Sequence, residues 1–326
     1  MRSLNINIEK RLIRNYSLGL AVILVFLGMI SAPTPASDDK KSDSSNEVPV
    51  HMVVTVKPRH NGGQVPAVGP ADVKVFQRDK QNAVTSWVPL QGDRAGLQLF
   101  ILIDDTSRAT LGLQFRSLEK FIQEQPDTTA IGVGYMRNGT VLTVQNLTKD
   151  HDAAAKSLRL PIGAVSYTSP YLSLSDLMKR WPVSEDRREI LMITSGIDVL
   201  GGGPFTNPYL QEAVDRAQRG GFIVYSIYTP GAGRVGRGFF RGNLGQTGLD
   251  MLAQKTGGST YYLGVGSPID IAPYLQDLSF SLKHQYELTF LAKGAKKPSL
   301  EPVKVKTEMP NIGVVAAEDS YVGSGM

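Results

Sequence analysis

The sequence of 326 residues predicts an α/β fold with a doubly wound, mostly parallel sheet. Three observations lead to this prediction. Apolar runs that suit buried strands alternate with amphipathic helical segments between residues 97 and 283. One Asn-Gly pair joins two of these runs as a hairpin, which predicts one antiparallel edge strand. Both ends of the chain contain short strand-like segments without helices, which predicts a small accessory β-sandwich built from residues 49–96 and 284–323.

The strand candidates of the middle segment are apolar runs bounded by polar or turn-forming residues. They are residues 97–103, 129–136, 140–147, 189–194, 222–228 and 259–264. The pair Asn138-Gly139 stands between the second and third candidates and is the strongest short hairpin signal. We therefore expect the third candidate to run antiparallel to the second and to lie at an edge of the sheet.

Helix candidates come from apolar residues that recur at helical spacing. Three such stripes are Leu111, Phe115, Leu118 and Ile122; Leu210, Ala213, Val214 and Ala217; and Ile271, Leu275, Leu278 and Leu282. Each stripe places its apolar side chains on one helix face. We therefore expect each helix to cover part of one face of the sheet.

The first residues of the chain have the layout of a secretory signal. Residues 1–36 have a basic start, an apolar core and small residues afterwards, with Ala32 and Ala36 as candidate cleavage points. We expect an exported protein, periplasmic or extracellular, without stable membrane insertion after cleavage. The alternative is an uncleaved N-terminal anchor in the inner membrane. The Pro/Ser-rich residues 37–48 are expected to form a disordered linker.

Charge and composition exclude several classes of function. Residues 1–36 account for +3 of the formal net charge of +5, which leaves +2 for the remaining chain and no electrostatic case for nucleic acid. The chain has no cysteine, which excludes disulfides, thiolate metal sites and cysteine nucleophiles. Its four histidines stand in neither a zinc-binding motif nor a nucleophile-elbow motif. No enzyme class therefore has a positive signal.

Adjacent carboxylates follow the first strand candidate of the middle segment. The stretch "LQLFILIDDTSRAT" places Asp104 and Asp105 at the carboxyl end of that strand. In a doubly wound sheet, ligands bind beyond the carboxyl ends of the strands, where the connections diverge. The two aspartates are therefore candidates for a binding site, and the alternative is that they only cap the helix that follows.

This order of elements resembles the von Willebrand factor A (vWA) domain, a Rossmann-like fold, and most closely its secreted bacterial VWFA-related subgroup. The resemblance covers about residues 97–283. It is carried by the strand that ends in Asp-Thr-Ser, by the helix and hairpin that follow, and by "YMRNG", "SPYLSLSDLMKRWP", "RREILMITSGID" and "QKTGGSTYYLG". It implies a non-catalytic protein–protein interaction module of the adhesion or scaffold type. The alternatives are a hydrolase that uses the same cleft and a purely structural assembly subunit.

The resemblance also implies a metal-ion-dependent adhesion site. Such a site holds Mg²⁺ or Mn²⁺ through oxygen ligands and leaves one position for the carboxylate of a partner. In the favoured register Asp105 and Ser107 take the first two ligand positions, while Ala109 at the third has no side-chain oxygen. In the other register Asp104 comes first and Arg108 falls on the third position.

The second and third loops complete the implied metal site only in part. The threonine of the second loop is Thr168 or, with a shift, Ser169. Ser195 replaces the aspartate of the third loop. The implied set of metal ligands is therefore degenerate and consists of Asp105, Ser107, Thr168 and Asp198, with Asp104 as the alternative. If no cation binds, Arg108 is expected to place its guanidinium among the two carboxylates and to supply the positive charge.

The ligand-binding surface implied by the resemblance lies at the carboxyl edge of the sheet. It consists of residues 104–108, 167–169, 195–198 and the glycine-rich loop 231–243. The residues expected to contact an unknown partner protein are Asp104, Arg108, Tyr167, Ser169, Ser195, Arg234 and Arg237. An acidic side chain of the partner would complete the metal coordination, or would bind the basic residues directly if no metal is present. Both modes require these loops to meet and Asp105 to be open to solvent.

Overall fold

The computed structural model describes residues 46–60, 63, 65–163, 167, 169–232, 238–262 and 264–325. They belong to one compact unit, Asp43–Met326. The expected signal segment lies outside these residues, as do most of the expected linker and three candidate site residues, Thr168, Arg234 and Arg237. Within the described ranges, no helix combines the length and the apolar character that a bilayer span requires.

Strands and helices alternate through the middle of the chain, while both ends contain strands. The strands are β1 (Glu47–Pro58), β2 (Val73–Gln77), β3 (Lys80–Asn82), β4 (Val84–Pro89), β5 (Leu97–Asp104), β6 (Thr129–Arg137), β7 (Thr140–Thr148), β8 (Arg187–Thr194), β9 (Phe222–Tyr228), β10 (Thr260–Tyr261), β11 (Gln285–Lys293), β12 (Ser299–Thr307), β13 (Ile312–Val315) and β14 (Asp319–Val322). The helices are α1 (Phe115–Gln123), α2 (His151–Lys156), α3 (Pro170–Lys179), α4 (Pro208–Gly220), α5 (Phe239–Thr256) and α6 (Ala272–Lys283).

The central sheet has six strands in the order β10-β9-β8-β5-β6-β7. Strand β5 lies inside the sheet and pairs in parallel with β6 and β8, and of the six strands only β7 is antiparallel to its neighbour. The turn between β6 and β7 has positive φ at Asn138 (50°) and Gly139 (77°), as the expected tight hairpin requires. The predicted fold class, with its antiparallel edge strand, is confirmed.

Helices cover both faces of the central sheet. Every residue of β5 is buried, and its side chains alternate between two apolar cores. Leu99 and Ile101 pack in the core that contains α1, α2 and α6, whereas Phe100 and Leu102 pack in the core of α3, α4 and α5. Burying one such side chain contributes about 1.5–3 kcal/mol. This burial stabilises the central strands, and the carboxyl ends of the parallel strands lie at one edge of the sheet.

The two ends of the chain form two four-stranded antiparallel sheets, with the orders β13-β1-β11-β4 and β14-β12-β2-β3. Strand β1 from the amino-terminal part pairs with β11 from the carboxyl-terminal part. Val54, Val75, Phe290 and Val303 share one apolar core between the sheets, as in a sandwich. Because β1 begins at Glu47, the last residues of the expected linker are strand.

Three element predictions differ from the structure. Residues 239–243, which were expected to belong to a glycine-rich loop, form the first turn of α5. The first helical stripe was also misplaced, because residues 109–114 form a 3₁₀ segment and α1 begins only at Phe115. The candidate strand at 259–264 contributes only the two residues of β10.

The glycine residues of α5 explain why the sequence did not predict the start of this helix. The buried face of this helix contains Gly242, Gly245 and Gly248 where an amphipathic helix usually has large apolar side chains. A Cβ atom at Gly245 would collide with the carbonyl oxygen of Ser195. The helix therefore packs directly on the turn after β8. Because glycine has no side chain, the same residues leave no apolar stripe in the sequence from which this helix could be predicted.

A buried ion pair lies near the start of β8, where the central sheet meets the sandwich strands. Glu189 is fully buried, with Arg187 Nε 3.4 Å from its Oε1. The Arg187 guanidinium also donates to the carbonyl oxygens of Leu90 and Leu282, each at 3.2 Å. Burial raises the pKa of Glu189 from 4.5 to about 7, although the nearby Arg187 lowers it. The neutral form of this carboxyl group therefore favours folding.

We expect Glu189→Gln to make folding stability less sensitive to pH. Because the folded-state pKa is raised, the contribution of wild-type Glu189 is complete below about pH 4.5 and is lost as pH rises through about 7. Glutamine stays neutral, so the variant should gain free energy of unfolding relative to wild type across this window, by at most about 1.4 kcal/mol per pH unit. Urea unfolding at about pH 4 and about pH 8 measures the change.

Glu119→Gln serves as the control, because Glu119 is an exposed carboxylate on α1. It should shift the unfolding free energy by less than about 0.5 kcal/mol at either pH. Parallel pH profiles for wild type and Glu189→Gln would show that ionisation of this buried group does not oppose folding.

Candidate functional site

Several loops meet at the carboxyl edge of the central sheet. Two residues after β5 accept hydrogen bonds through their backbone carbonyl oxygens. Gly163 N donates to Asp105 O at 2.9 Å, and Ala232 N donates to Thr106 O at 2.8 Å. The residues after β9 join the end of β8 through Thr229 N and Thr194 O, 2.9 Å apart. The structure therefore brings together the strand ends and the loops that follow them, as a doubly wound sheet requires.

Asp104 connects the ends of β5 and β8. Its Oδ2 accepts a hydrogen bond from Thr194 Oγ1 at 2.7 Å. Its Oδ1 accepts from the backbone N and the Oγ1 of Thr106, at 2.9 and 2.7 Å. Only 1% of Asp104 is exposed. Its carboxylate therefore organises the turn after β5.

Asp105 contacts a different part of the edge, and its side chain is fully buried. Arg159 Nη1 donates to its Oδ1 at 2.7 Å, and Arg159 Nη2 donates to its Oδ2 at 2.9 Å. The backbone N of Ile162 adds a third hydrogen bond to Oδ1 at 3.1 Å, and Arg137 Nε lies 3.9 Å from Oδ2. This is a bidentate guanidinium–carboxylate pair, the strongest geometry for such an interaction.

Tyr135 on β6 holds Arg159 in place. The guanidinium carbon lies 3.8 Å from the centre of the Tyr135 ring, within the range of a cation–π interaction. The Tyr135 hydroxyl donates to Arg159 O and accepts from Arg159 N, both at 2.7 Å. Burial raises the pKa of Tyr135, and the hydrogen bond to Asp105 raises the pKa of Arg159. The ring therefore stays neutral and the guanidinium stays charged.

Arg108 does not supply the positive charge beside the two aspartates, and that expectation is wrong. Its Nε donates to Gly231 O at 3.3 Å, and its side chain is exposed. Arg159 takes this role from 54 residues further along the chain. The sequence analysis did not predict Arg159 as a residue of this site. The local signal is a single arginine between two leucines in "SLRLP", where a charged side chain requires a partner when its surroundings are apolar.

The described residues do not fit the divalent cation that the resemblance implied. A cation at Asp105 would have to displace the guanidinium from both carboxylate oxygens, and Ala109 at the third position has no oxygen to replace it. In the other register, the positive charge of Arg108 occupies the third position. Within the described ranges, no group of three or more His, Asp or Glu side chains is placed to hold a metal.

The remaining candidate metal ligands bond to one another or to the backbone. Ser107 Oγ is 3.3 Å from Thr229 Oγ1 and fully buried. Asp198 accepts a hydrogen bond from Ser169 Oγ at 3.1 Å on Oδ2, and two backbone N–H groups donate to its Oδ1. The Oγ of Ser195 accepts from the backbone N of Ile197 at 3.4 Å. Asp198 and Ser195 therefore stabilise the turn after β8, whereas Ser107 contacts the residue that follows β9.

Burial separates the candidate partner contacts into two groups. Asp104, Ser169 and Ser195 are each at most 2% exposed and do not form a surface. Arg108 is exposed, and Tyr167 is 44% exposed with its hydroxyl 2.9 Å from Asn138 O. The expectation that Asp105 is open to solvent is wrong, because the loop containing Arg159 covers it. The ligand-binding surface predicted from the sequence required this access, so that surface is wrong where it includes the two aspartates, and any contact at this edge has to use other side chains. The described candidates that a partner can reach are therefore Arg108 and Tyr167.

The sheet now shows the features that the resemblance implied. An Asp-Thr-Ser turn ends the parallel strand β5, and the hairpin of β6 and β7 forms the antiparallel edge. The central domain has the doubly wound sheet with one antiparallel edge strand that the resemblance to vWA domains implied. Arg159 donates to both oxygens of Asp105, the carboxylate to which the resemblance assigned the first metal-ligand position.

Comparison with solved structures finds similar folds at low sequence identity, and one of these structures is described as a vWA domain. The conserved hypothetical protein BatB from Bacteroides thetaiotaomicron is 16% identical, with a TM-score of 0.44, over 57% of this chain and 97% of that chain. The SpRpn10 vWA domain is 11% identical, with a TM-score of 0.39, over 56% and 94%. Proximal thread matrix protein 1 from the mussel byssus, solved with a zinc-occupied MIDAS motif, is 11% identical, with a TM-score of 0.42, over 61% and 48%.

At these values the comparison concerns the fold alone, which we base on the order and directions of the strands. No protein-family model matches the chain, and no curated protein matches it.

We expect Arg159→Met to destabilise the fold by about 3 kcal/mol, because the buried Asp105 carboxylate loses its charged partner. The double variant Asp105→Asn/Arg159→Met should lose less than the sum of the two single losses, because the neutral amide needs no counter-charge. Urea unfolding of the four proteins measures the coupling free energy.

Arg137→Met is the matched control for this cycle. The Arg137 side chain is 44% exposed and its Nε lies 3.9 Å from the same carboxylate, so its loss should cost less than about 1 kcal/mol. Equal losses for the Arg159 and Arg137 variants would contradict a special role for the bidentate pair.

Proposed function

We propose that this chain is an exported, non-catalytic protein-interaction module of the vWA type, which binds its partner without a divalent cation. The observation that supports the proposal is the bidentate bond between buried Asp105 and Arg159, at 2.7 and 2.9 Å, at the position of the implied cation. In this proposal the ion pair keeps the binding edge in one conformation. Export is supported by the signal-like layout of residues 1–36.

The exposed groups of this edge favour an acidic partner. Arg108 is exposed, and the side chains of Arg137 and Arg159 are 44% and 33% exposed. Asp104 and Asp105 are buried, so they contribute no carboxylate oxygen to the surface. A carboxylate of the partner, which would bind the metal in a metal-dependent vWA domain, would here bind guanidinium groups directly. Such binding weakens as salt concentration rises.

A hydrolase at the same edge has less support. Acyl transfer requires a nucleophile within hydrogen-bond reach of a base. Ser107 and Thr194 at the edge are buried and hydrogen-bonded to other hydroxyl or carboxylate groups. Of the histidines, His151 contacts the carbonyl of Thr129 at the start of β6, and His51 lies on β1 of the sandwich. These positions supply no nucleophile–base pair at the carboxyl edge.

Capture of a partner from the exported fraction of the source cells tests the proposal. Immobilised wild-type protein should retain one or more proteins, identified by mass spectrometry, in buffer that contains EDTA. Arg108→Glu should lose this retention because it reverses a charge at the exposed rim. Lys304→Glu makes the same charge change on β12 of the accessory sandwich, outside the central sheet, and should behave as wild type.

Each other result of the capture contradicts the proposal in a specific way. Release of the partner by EDTA would restore the cation model. Retention that survives Arg108→Glu would place the contact elsewhere. If no protein is retained by wild type, a structural subunit without a ligand at this edge becomes the better account. Turnover of ester, glycoside or peptide substrates by wild type would replace the proposal with a hydrolase.

A further inference from the structure

A cleft of about 410 Å³ lies beside the carboxyl edge, between the turn after β8 and helix α5. Its apolar wall consists of Tyr171, Ile197, Val199, Pro204 and Leu244. The volume lies within the range of pockets that hold a small ligand or a few side chains. The cleft is separate from the Asp105–Arg159 pair, because neither residue lines it.

An unpaired buried donor lines this cleft. Asn207 is fully buried, and its Oδ1 caps helix α4 by accepting hydrogen bonds from Tyr209 N and Leu210 N, at 2.9 and 3.1 Å. Its Nδ2 has no hydrogen-bond partner within the described part of the chain. A buried amide without an acceptor costs free energy. The Asn207 side chain therefore stabilises the wall of the cleft through Oδ1, while its Nδ2 is too buried to contact a ligand directly.

The other side of the cleft is positively charged. Arg241 lines it and is exposed, and no carboxylate of the described residues forms an ion pair with it. Arg241 lies in the first turn of α5, which has no acidic residue and no side-chain cap. The positive end of the helix dipole therefore adds to the guanidinium charge. Asp198 also lines the cleft, but its two carboxylate oxygens accept hydrogen bonds from the chain.

Large apolar side chains stand exposed next to the lining residues in the sequence. Phe239 and Phe240 directly precede Arg241, and each is 74% exposed. Phe205 follows Pro204 and is 71% exposed. Exposed aromatic residues and an arginine next to an apolar cleft are typical of surfaces that bind protein segments, and here the aromatic residues adjoin the lining residues in the sequence.

We propose that this cleft binds an extended segment of a partner protein in which a large apolar or aromatic side chain stands beside an acidic one. The apolar side chain fills the cleft, and the carboxylate binds Arg241 at the start of α5. This inference rests on the proposed interaction function and adds to it the chemistry of the partner.

Selection from a random-peptide phage library on the wild-type protein tests this inference. The enriched peptides should combine an aromatic or large aliphatic residue with Asp or Glu. A synthetic peptide of the enriched sequence, measured by fluorescence anisotropy, should bind Arg241→Glu about tenfold more weakly than wild type. Glutamate is favourable in the first turn of a helix, so this variant should stay folded.

Two further variants complete the peptide experiment. Phe239→Ala/Phe240→Ala removes exposed apolar surface and should also weaken binding. Arg116→Glu carries the same charge change outside the cleft and should bind the peptide as wild type does. Circular dichroism of every variant confirms that the fold is retained.

The outcomes separate this inference from the function on which it rests. Enriched peptides without an acidic residue, or equal binding by wild type and Arg241→Glu, would overturn the cleft assignment. If binding is lost in Arg108→Glu but not in Arg241→Glu, the interaction function stands and the cleft proposal fails. No enrichment over uncoated matrix, together with no retained protein in the capture experiment, would overturn both.

Discussion

The carboxyl edge of this protein depends on the ion pair between Asp105 and Arg159. A fully buried carboxylate is costly unless a positive charge and several hydrogen bonds compensate for its lost hydration. Here the Arg159 guanidinium supplies the positive charge and two hydrogen bonds, and the backbone N of Ile162 supplies a third. The Tyr135 ring packs against the guanidinium. The pair joins the end of β5 to the segment after α2. The position of the segment after α2 at this edge therefore follows from one requirement for charge balance.

A built-in guanidinium and a bound cation differ in what they leave for a partner. A divalent cation has a coordination position that an incoming carboxylate can fill. The Asp105–Arg159 pair is closed, because both carboxylate oxygens already accept hydrogen bonds. In the function that we propose, a partner therefore contacts the exposed Arg108 and Tyr167 and the cleft that Arg241 lines. The ion pair then acts as a fixed support and not as the contact itself.

Local patterns predicted most of the fold and only part of the site. The apolar runs of β5, β6 and β9 and the Asn138-Gly139 turn depend on near neighbours, so the sequence showed them. The pairing of Asp105 with Arg159 spans 54 residues and has no local pattern. The buried glycines of α5 concealed a helix because close packing, and not an apolar stripe, positions it. The burial of Asp105 at the end of β5 likewise depends on the distant loop that contains Arg159, and no local pattern shows this loop.

A crystal structure of the protein grown with MnCl₂, with anomalous diffraction measured for manganese, tests the central claim most directly. We expect both terminal nitrogens of Arg159 to donate to the Asp105 carboxylate, as they do at 2.7 and 2.9 Å, with no manganese peak at the carboxyl edge. A manganese peak about 2 Å from an Asp105 oxygen, with the Arg159 side chain displaced, would contradict this account.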